Sequence, residues 1–310
     1  MNTLIDSPLL TTIYLSIHDE VVVTQGLCQA TYRFLVMFYQ GVLQKMRTQA
    51  STPVHYELAI GGLTLPLNDY LGKGIYLQHT GRIFCLNCGQ KTTKSFAQGY
   101  CFKCFRSSAS ADMCIMKPET CHYHLGTCRE PDWAQSHCFR PHIVYLANSS
   151  GVKVGITRKT QMPTRWLDQG ASQALPIFEV ATRRLSGLIE VVFAQHIADK
   201  TNWQRLLKSD AQTQNLALMR DELMTLCAKE LAELSAEFGQ QMQPLTQNTL
   251  EFSFPVQHYP LKVKALNFDT TPQVTGVLQG IKGQYLMLDT GVLNLRKFGG
   301  YEIMFGEKNV

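Results

Sequence analysis

Apolar and polar residues alternate from Gly41 to Phe84, and turn-formers (Gly61-Gly62, Asn68-Asp69, Gly72, Gly74, Gly81) cut the run into short segments, which predicts β-strands. Met37 to Leu43 leads into the first of them. Further on the period changes. Leu185, Leu188, Ile189, Val192, Phe193, His196 and Ile197 recur at helical spacing and predict a helix over 184–199. Leu216, Met219, Leu223, Leu226, Cys227, Leu231, Leu234 and Phe238 predict a longer helix over 213–238, stopped by Gly239. Period two returns from Leu250 onward, as in Thr275-Gly276-Val277-Leu278. The expected class is α+β, with small β-rich, barrel-like segments at either end that meet in a barrel or sheet. The chain divides into a doubtful extension (1–36), an N-terminal β segment (37–84), a cysteine-rich module (85–141), a mixed α/β unit (142–210), a long helix (211–243) and a C-terminal β segment (244–310).

At 310 residues there is enough chain for two or three units with a core of their own. A hydrophobic share of 45% with 17% charged residues excludes general disorder. The net charge of +5 permits a polyanionic partner without requiring one. No apolar run approaches the roughly 20 residues of a membrane span, and the start lacks a signal-peptide pattern. A cytoplasmic location is expected.

Eight of the ten cysteines fall between Cys85 and Cys138, which in a reducing compartment points to metal rather than disulfides. Cys85-x-x-Cys88 and Cys101-x-x-Cys104 are separated by twelve residues, the pattern of two knuckles closing one tetrahedral, structural Zn²⁺ site. Gly89 suits the positive φ of such a knuckle. Cys114, Cys121, Cys128 and Cys138, at spacings of six, six and nine, match no common finger. A second four-cysteine zinc site is the first choice there, and an iron–sulfur cluster is the rival. The nearby histidines are expected to support rather than ligate.

Arg82, Lys91, Lys94, Lys103 and Arg106 lie in the first cysteine stretch, with no acidic residue from 82 to 106 and Phe84, Phe96, Tyr100, Phe102 and Phe105 interleaved. Basic groups neutralise phosphates and aromatic faces stack on bases, so this is a candidate nucleic-acid surface. The same residues also fit a module that offsets its own thiolate charge and packs its own small core.

Ile143-Val144-Tyr145 is followed by Val154-Gly155-Ile156, Arg165 and Glu190. This order resembles the GIY-YIG nuclease superfamily, in the branch whose second motif reads Lys-Ile-Gly. The resemblance implies two strands carrying the motifs and a phosphodiester-cleaving site. There Tyr145 would be the base or water-positioning hydroxyl, Arg165 the phosphate holder and Glu190 the ligand of Mg²⁺ or Mn²⁺. Lys153 stands in place of the second tyrosine, Gly155 permits close backbone approach, and Asn202 is the late polar residue. Singly, each has a plainer role: Tyr145 as sheet packing, Arg165 as a partner of Asp168, Glu190 as a solvated helix residue, Asn202 as an N-cap.

The runs 114–121, 126–131 and 145–151, then Pro163-Thr164-Arg165-Trp166, Asp168-Gln169-Gly170-Ala171 and Gly280-Ile281-Lys282-Gly283-Gln284-Tyr285, resemble a bacterial family named domain of unknown function 2797, over about 40–310. That resemblance implies little about mechanism. The leading expectation is a zinc-containing protein that acts on RNA or DNA as a metal-dependent endonuclease. The alternative is non-catalytic binding that uses the same scaffold for phosphate recognition. A metal-stabilised protein-interaction scaffold is a third.

Overall fold

Alternation governs the strand at the centre of the largest sheet, Gly74–Phe84, where Ile75 and Leu77 are buried while Tyr76 and Gln78 are half-buried. The computed structural model describes residues 12–17, 35–197 and 202–308. The sheet is eight-stranded and antiparallel. Its order is Thr12–Ile17, Leu35–Val42, Tyr301–Glu307, Gly74–Phe84, Gln273–Lys282, Tyr285–Leu288 and Gly291–Asn294, with Lys91–Thr92 paired beside Gly74–Phe84. The N- and C-terminal β segments therefore meet. Ile303 lies opposite Gly41 on one side and His79 on the other.

The class is α+β, but the expected barrel-like segments are not found. Among the described residues the large sheet is open, with Thr12–Ile17 and Gly291–Asn294 at its two ends. Its apolar face is covered by a second, three-stranded sheet, Arg47–Gln49, His55–Ile60 and Leu63–Pro66. Tyr56, Leu58 and Ile60 pack into one core with Leu77, Leu278, Ile303 and Phe305. A covering layer removes from water the face that closure would otherwise have to bury. Of the stretch 1–36, only 12–17 and 35–36 are described, and Cys28 lies outside the described residues.

The middle of the chain builds a five-stranded sheet around His142–Asn148, all seven residues of which are buried. Val152–Arg158 and Gln173–Val180 flank it, and Met242–Pro244 and Leu250–Glu251 pair with the latter. Even and odd positions serve different cores. Val144 and Leu146 meet the helices through Leu185, Ile189, Phe193, Leu216, Leu223 and Leu231. Ile143, Tyr145 and Ala147 meet Trp166, Ala171 and Ala174 on the other side.

The helix predicted at 184–199 is Arg183–Ala194, with the Thr182 hydroxyl accepting from Leu185 N. The helix predicted as one piece over 213–238 is two, Leu216–Leu226 and Ala228–Phe238, joined at the buried Cys227. No described helix is long and apolar enough to cross a membrane.

Polar contacts, each with at least one buried partner, join the β-rich part of the chain to the helix and loop beside the middle sheet. The Asp168 carboxylate accepts from Lys45 Nζ at 2.7 Å and from Gln284 Nε2 at 3.0 Å. Lys282, fully buried, donates to Asp210 at 3.0 Å. Gly283, at φ +62°, passes so close that a Cβ there would meet the Asp168 carbonyl at 3.1 Å and Gly170 N at 3.2 Å.

Candidate metal centres and the polar cluster beside them

Cys85 follows the Gly74–Phe84 strand, and Gly89, at φ +72°, turns the chain so that its N–H donates to the Cys85 carbonyl at 2.8 Å. Cys101 caps the helix Phe102–Ser107, its sulfur accepting from Cys104 N at 3.4 Å. The two knuckles bring the sulfurs of Cys85, Cys88, Cys101 and Cys104 within 4.8 Å of one another, with Cys88 and Cys101 at 3.9 Å. Four thiolates around one tetrahedral ion sit about 3.8 Å apart, given bonds of about 2.3 Å. The first group therefore fits a single metal ion. Burial pushes the Cys85 thiol up, but backbone N–H groups of Cys101, Cys88 and Asn87 outweigh it and bring the value down to about 7. Knuckle amides thus favour the thiolate at Cys85, whereas at Cys104 the Asn87 side chain pulls down but burial and the three neighbouring thiols outweigh it and push the value up to about 12.

The outer face of this module is basic and aromatic. Lys91, Lys94, Lys103 and Arg106 are exposed, and Phe102 is 58% exposed. Phe96 stacks on Phe105 and tilts against Phe102, and Lys94 lies over the Phe96 ring. Arg82 is placed differently: its guanidinium pairs with Glu302 at 2.6 Å.

The second group is arranged otherwise. Cys114 sits in the short helix Met113–Met116, and Cys121 follows the turn Pro118–Thr120. Cys128 lies just beyond Gly126, and Cys138 ends the helix Pro131–His137. All four border one cavity with Trp133 and Ile115. Burial, reinforced by Asp112 and the neighbouring thiols, pushes the Cys114 thiol up to about 11. Among the described residues the other close donor set, Asp112, Cys114 and His122, is internally engaged. Asp112 pairs with Arg129 at 2.7 Å and His122 at 3.5 Å, and His122 Nδ1 lies 2.7 Å from the Thr127 hydroxyl.

Beside this lies the set expected from the nuclease resemblance. Tyr145 is fully buried, and its hydroxyl donates to Gln169 at 3.2 Å. Burial pushes its phenol up, and the Arg165 guanidinium, on the helix Thr164–Asp168, pulls part of the way back. Glu190, on Arg183–Ala194, acts electrostatically on the same hydroxyl. Gly155 faces Tyr145 across the strands, and a Cβ there would lie 2.8 Å from the ring. The close approach it permits is by the protein's own tyrosine. Lys153 is buried. Asn202 accepts from Arg205 N at 3.1 Å and so caps the helix Trp203–Leu206.

The sequence profile described as Protein of unknown function (DUF2797) matches residues 72–303. The chain belongs to this family. No curated protein and no solved structure matches the chain. The family match carries no support for membership of the GIY-YIG superfamily. It spans both cysteine groups, the polar cluster and the Asp168–Gln284 tie of this DUF2797 chain. The sequence suggested Asp168 as a partner of Arg165, whereas its carboxylate is taken by Lys45 and Gln284, and it gave Lys282 and Gln284 no role. Arg183 was missed outright. Its Nη2 donates to the Ile115 carbonyl at 2.6 Å, and its charge acts on Cys138, Cys114, Arg165 and Glu190. Only its adjacency in space to the second cysteine group singles it out.

Proposed function

We propose that this chain is a zinc-stabilised nucleic-acid-binding protein whose first cysteine module is the contact surface. The observation that carries it is Phe102, 58% exposed among the exposed Lys91, Lys94, Lys103 and Arg106. An aromatic face exposed among cations is open to a base, which stacks on it while lysines hold the flanking phosphates. Four soft thiolates in tetrahedral reach suit Zn²⁺. Arg82, committed to Glu302, is left out of the contact set.

The same proposal keeps a GIY-YIG-like scaffold for phosphate recognition through the half-buried Arg165, while Tyr145 and Lys153 are buried. A hydroxyl that activates water must reach water, and Tyr145 is sealed beneath Gly155 and Trp166 with its phenol held protonated by burial. Asn202 caps a helix. These placements favour binding over Mg²⁺- or Mn²⁺-dependent cleavage.

The test is fluorescence anisotropy on labelled single-stranded RNA and DNA across a salt series, with Mg²⁺ or Mn²⁺ present and strand length checked afterwards. Replacing Lys91, Lys94 and Lys103 together by Ala should flatten the log K against log salt slope by about 2. Phe102→Ala should weaken binding by about 1–3 kcal/mol with little change of slope. Absence of salt-sensitive binding to either polymer would overturn the proposal. Cleavage that disappears in Glu190→Ala would replace it with the endonuclease.

A further inference from the structure

We infer that Cys114, Cys121, Cys128 and Cys138 hold a polynuclear iron–sulfur cluster, not a second single zinc ion. The two cysteine groups of this chain serve as each other's control. In the first, all four sulfurs gather within 4.8 Å, as one ion demands. In the second, the thiols come from four separate elements and border one common cavity. Among the described residues they do not form a group within 4.8 Å. A cubane of four irons and four sulfides places its thiolate ligands about 6.5 Å apart, so its ligands must line a hollow and cannot pinch a point.

The spacing agrees with that geometry. A Cys-x-x-Cys knuckle folds two thiols onto one small ion, and no pair here has it. Gaps of six, six and nine residues set each sulfur on a different part of the wall. Asp112 and His122 lie within 4.8 Å of the Cys114 sulfur but are engaged elsewhere, Asp112 by Arg129 and His122 by Thr127. Thiolates alone suit an iron–sulfur core.

The surroundings fit as well. A cluster with four thiolates carries net negative charge, and Arg183 and Arg158 both act on Cys138. Arg183 is anchored through Nη2 to the Ile115 carbonyl, one residue from Cys114, while its Nε is buried without a partner. Trp133 and Ile115 supply an apolar wall. Loading places a preformed cluster on the four sulfurs, each thiol giving up its proton as its bond to iron forms.

The experiment is metal and acid-labile sulfide analysis of the full chain purified without oxygen, with visible absorption recorded on the same sample. Iron and sulfide in equal amounts, about two to four of each per chain, beside one zinc, are expected. Cys121→Ser should remove most of the iron and sulfide and leave the zinc. Because the wild-type stoichiometry decides on its own, a variant that fails to fold does not obscure the result. Two zinc ions per chain with no sulfide, unchanged after anaerobic reconstitution with iron and sulfide, would overturn the inference.

Discussion

His142 begins the central strand of the middle sheet and is wholly buried. Its Nδ1 lies 2.7 Å from the Arg140 carbonyl, which can only accept, so that nitrogen carries the proton and Nε2 is left bare and without a partner. Burial pushes the imidazole down to about 4. The native state therefore keeps it neutral while the unfolded chain takes up a proton below about 6.5. Stability is complete above that value and falls as pH drops from about 6.5 to 4, by at most about 3 kcal/mol. His142→Gln should lower the Tm at pH 7 yet flatten its decline towards pH 4.5. An equally steep decline in the variant would place the acid sensitivity elsewhere. Gly155 carries a related lesson. Its presence was legible as a close approach, but only the cross-strand register shows that Tyr145 is what approaches.

At the scale of elements, the helix Arg183–Ala194 lies against the second cysteine module through Gly187. A Cβ at that position would sit 2.7 Å from both Glu119 N and Pro118 Cβ, and neither can yield without moving the turn that precedes Cys121. Gly187→Ala should cost about 1–3 kcal/mol. It should also deplete metal at the second cysteine group while zinc at the first remains, as thermal unfolding and metal analysis on one preparation would show. Unchanged metal content would mean the turn adapts. This helix was legible because the period of its apolar residues is long and Thr182 supplies a cap. The break at Cys227 was not. Cys is small and apolar, it continues the stripe of Leu223 and Leu231, and no Gly or Pro marks the joint.

Over the whole molecule, the strands could be read from alternation but their partners could not, because period two says which face is buried and nothing about what covers it. A barrel and a sheet covered by a second sheet leave the same pattern. The first cysteine group was legible because its geometry is local to two knuckles, whereas the second depends on where four separate elements pack. The polar tie at Asp168 is likewise a product of the fold. Asp168→Ala would leave Gln284 and Lys45 without their carboxylate and should cost about 2–4 kcal/mol, read as a lower urea midpoint. A shift under about 0.5 kcal/mol would show that this tie contributes little. The strand Tyr301–Glu307 completes the large sheet by entering between Leu35–Val42 and Gly74–Phe84, so that Arg82 meets Glu302 across 220 residues. On a ribosome moving at ordinary speed, that separation is roughly 10–40 s of synthesis. Both cysteine groups are made within that interval, while an apolar sheet still lacks its closing strand. A chain stalled in that interval leaves two strands unpaired along the edges the last strand would fill, so slow synthesis should favour aggregation of incomplete chains.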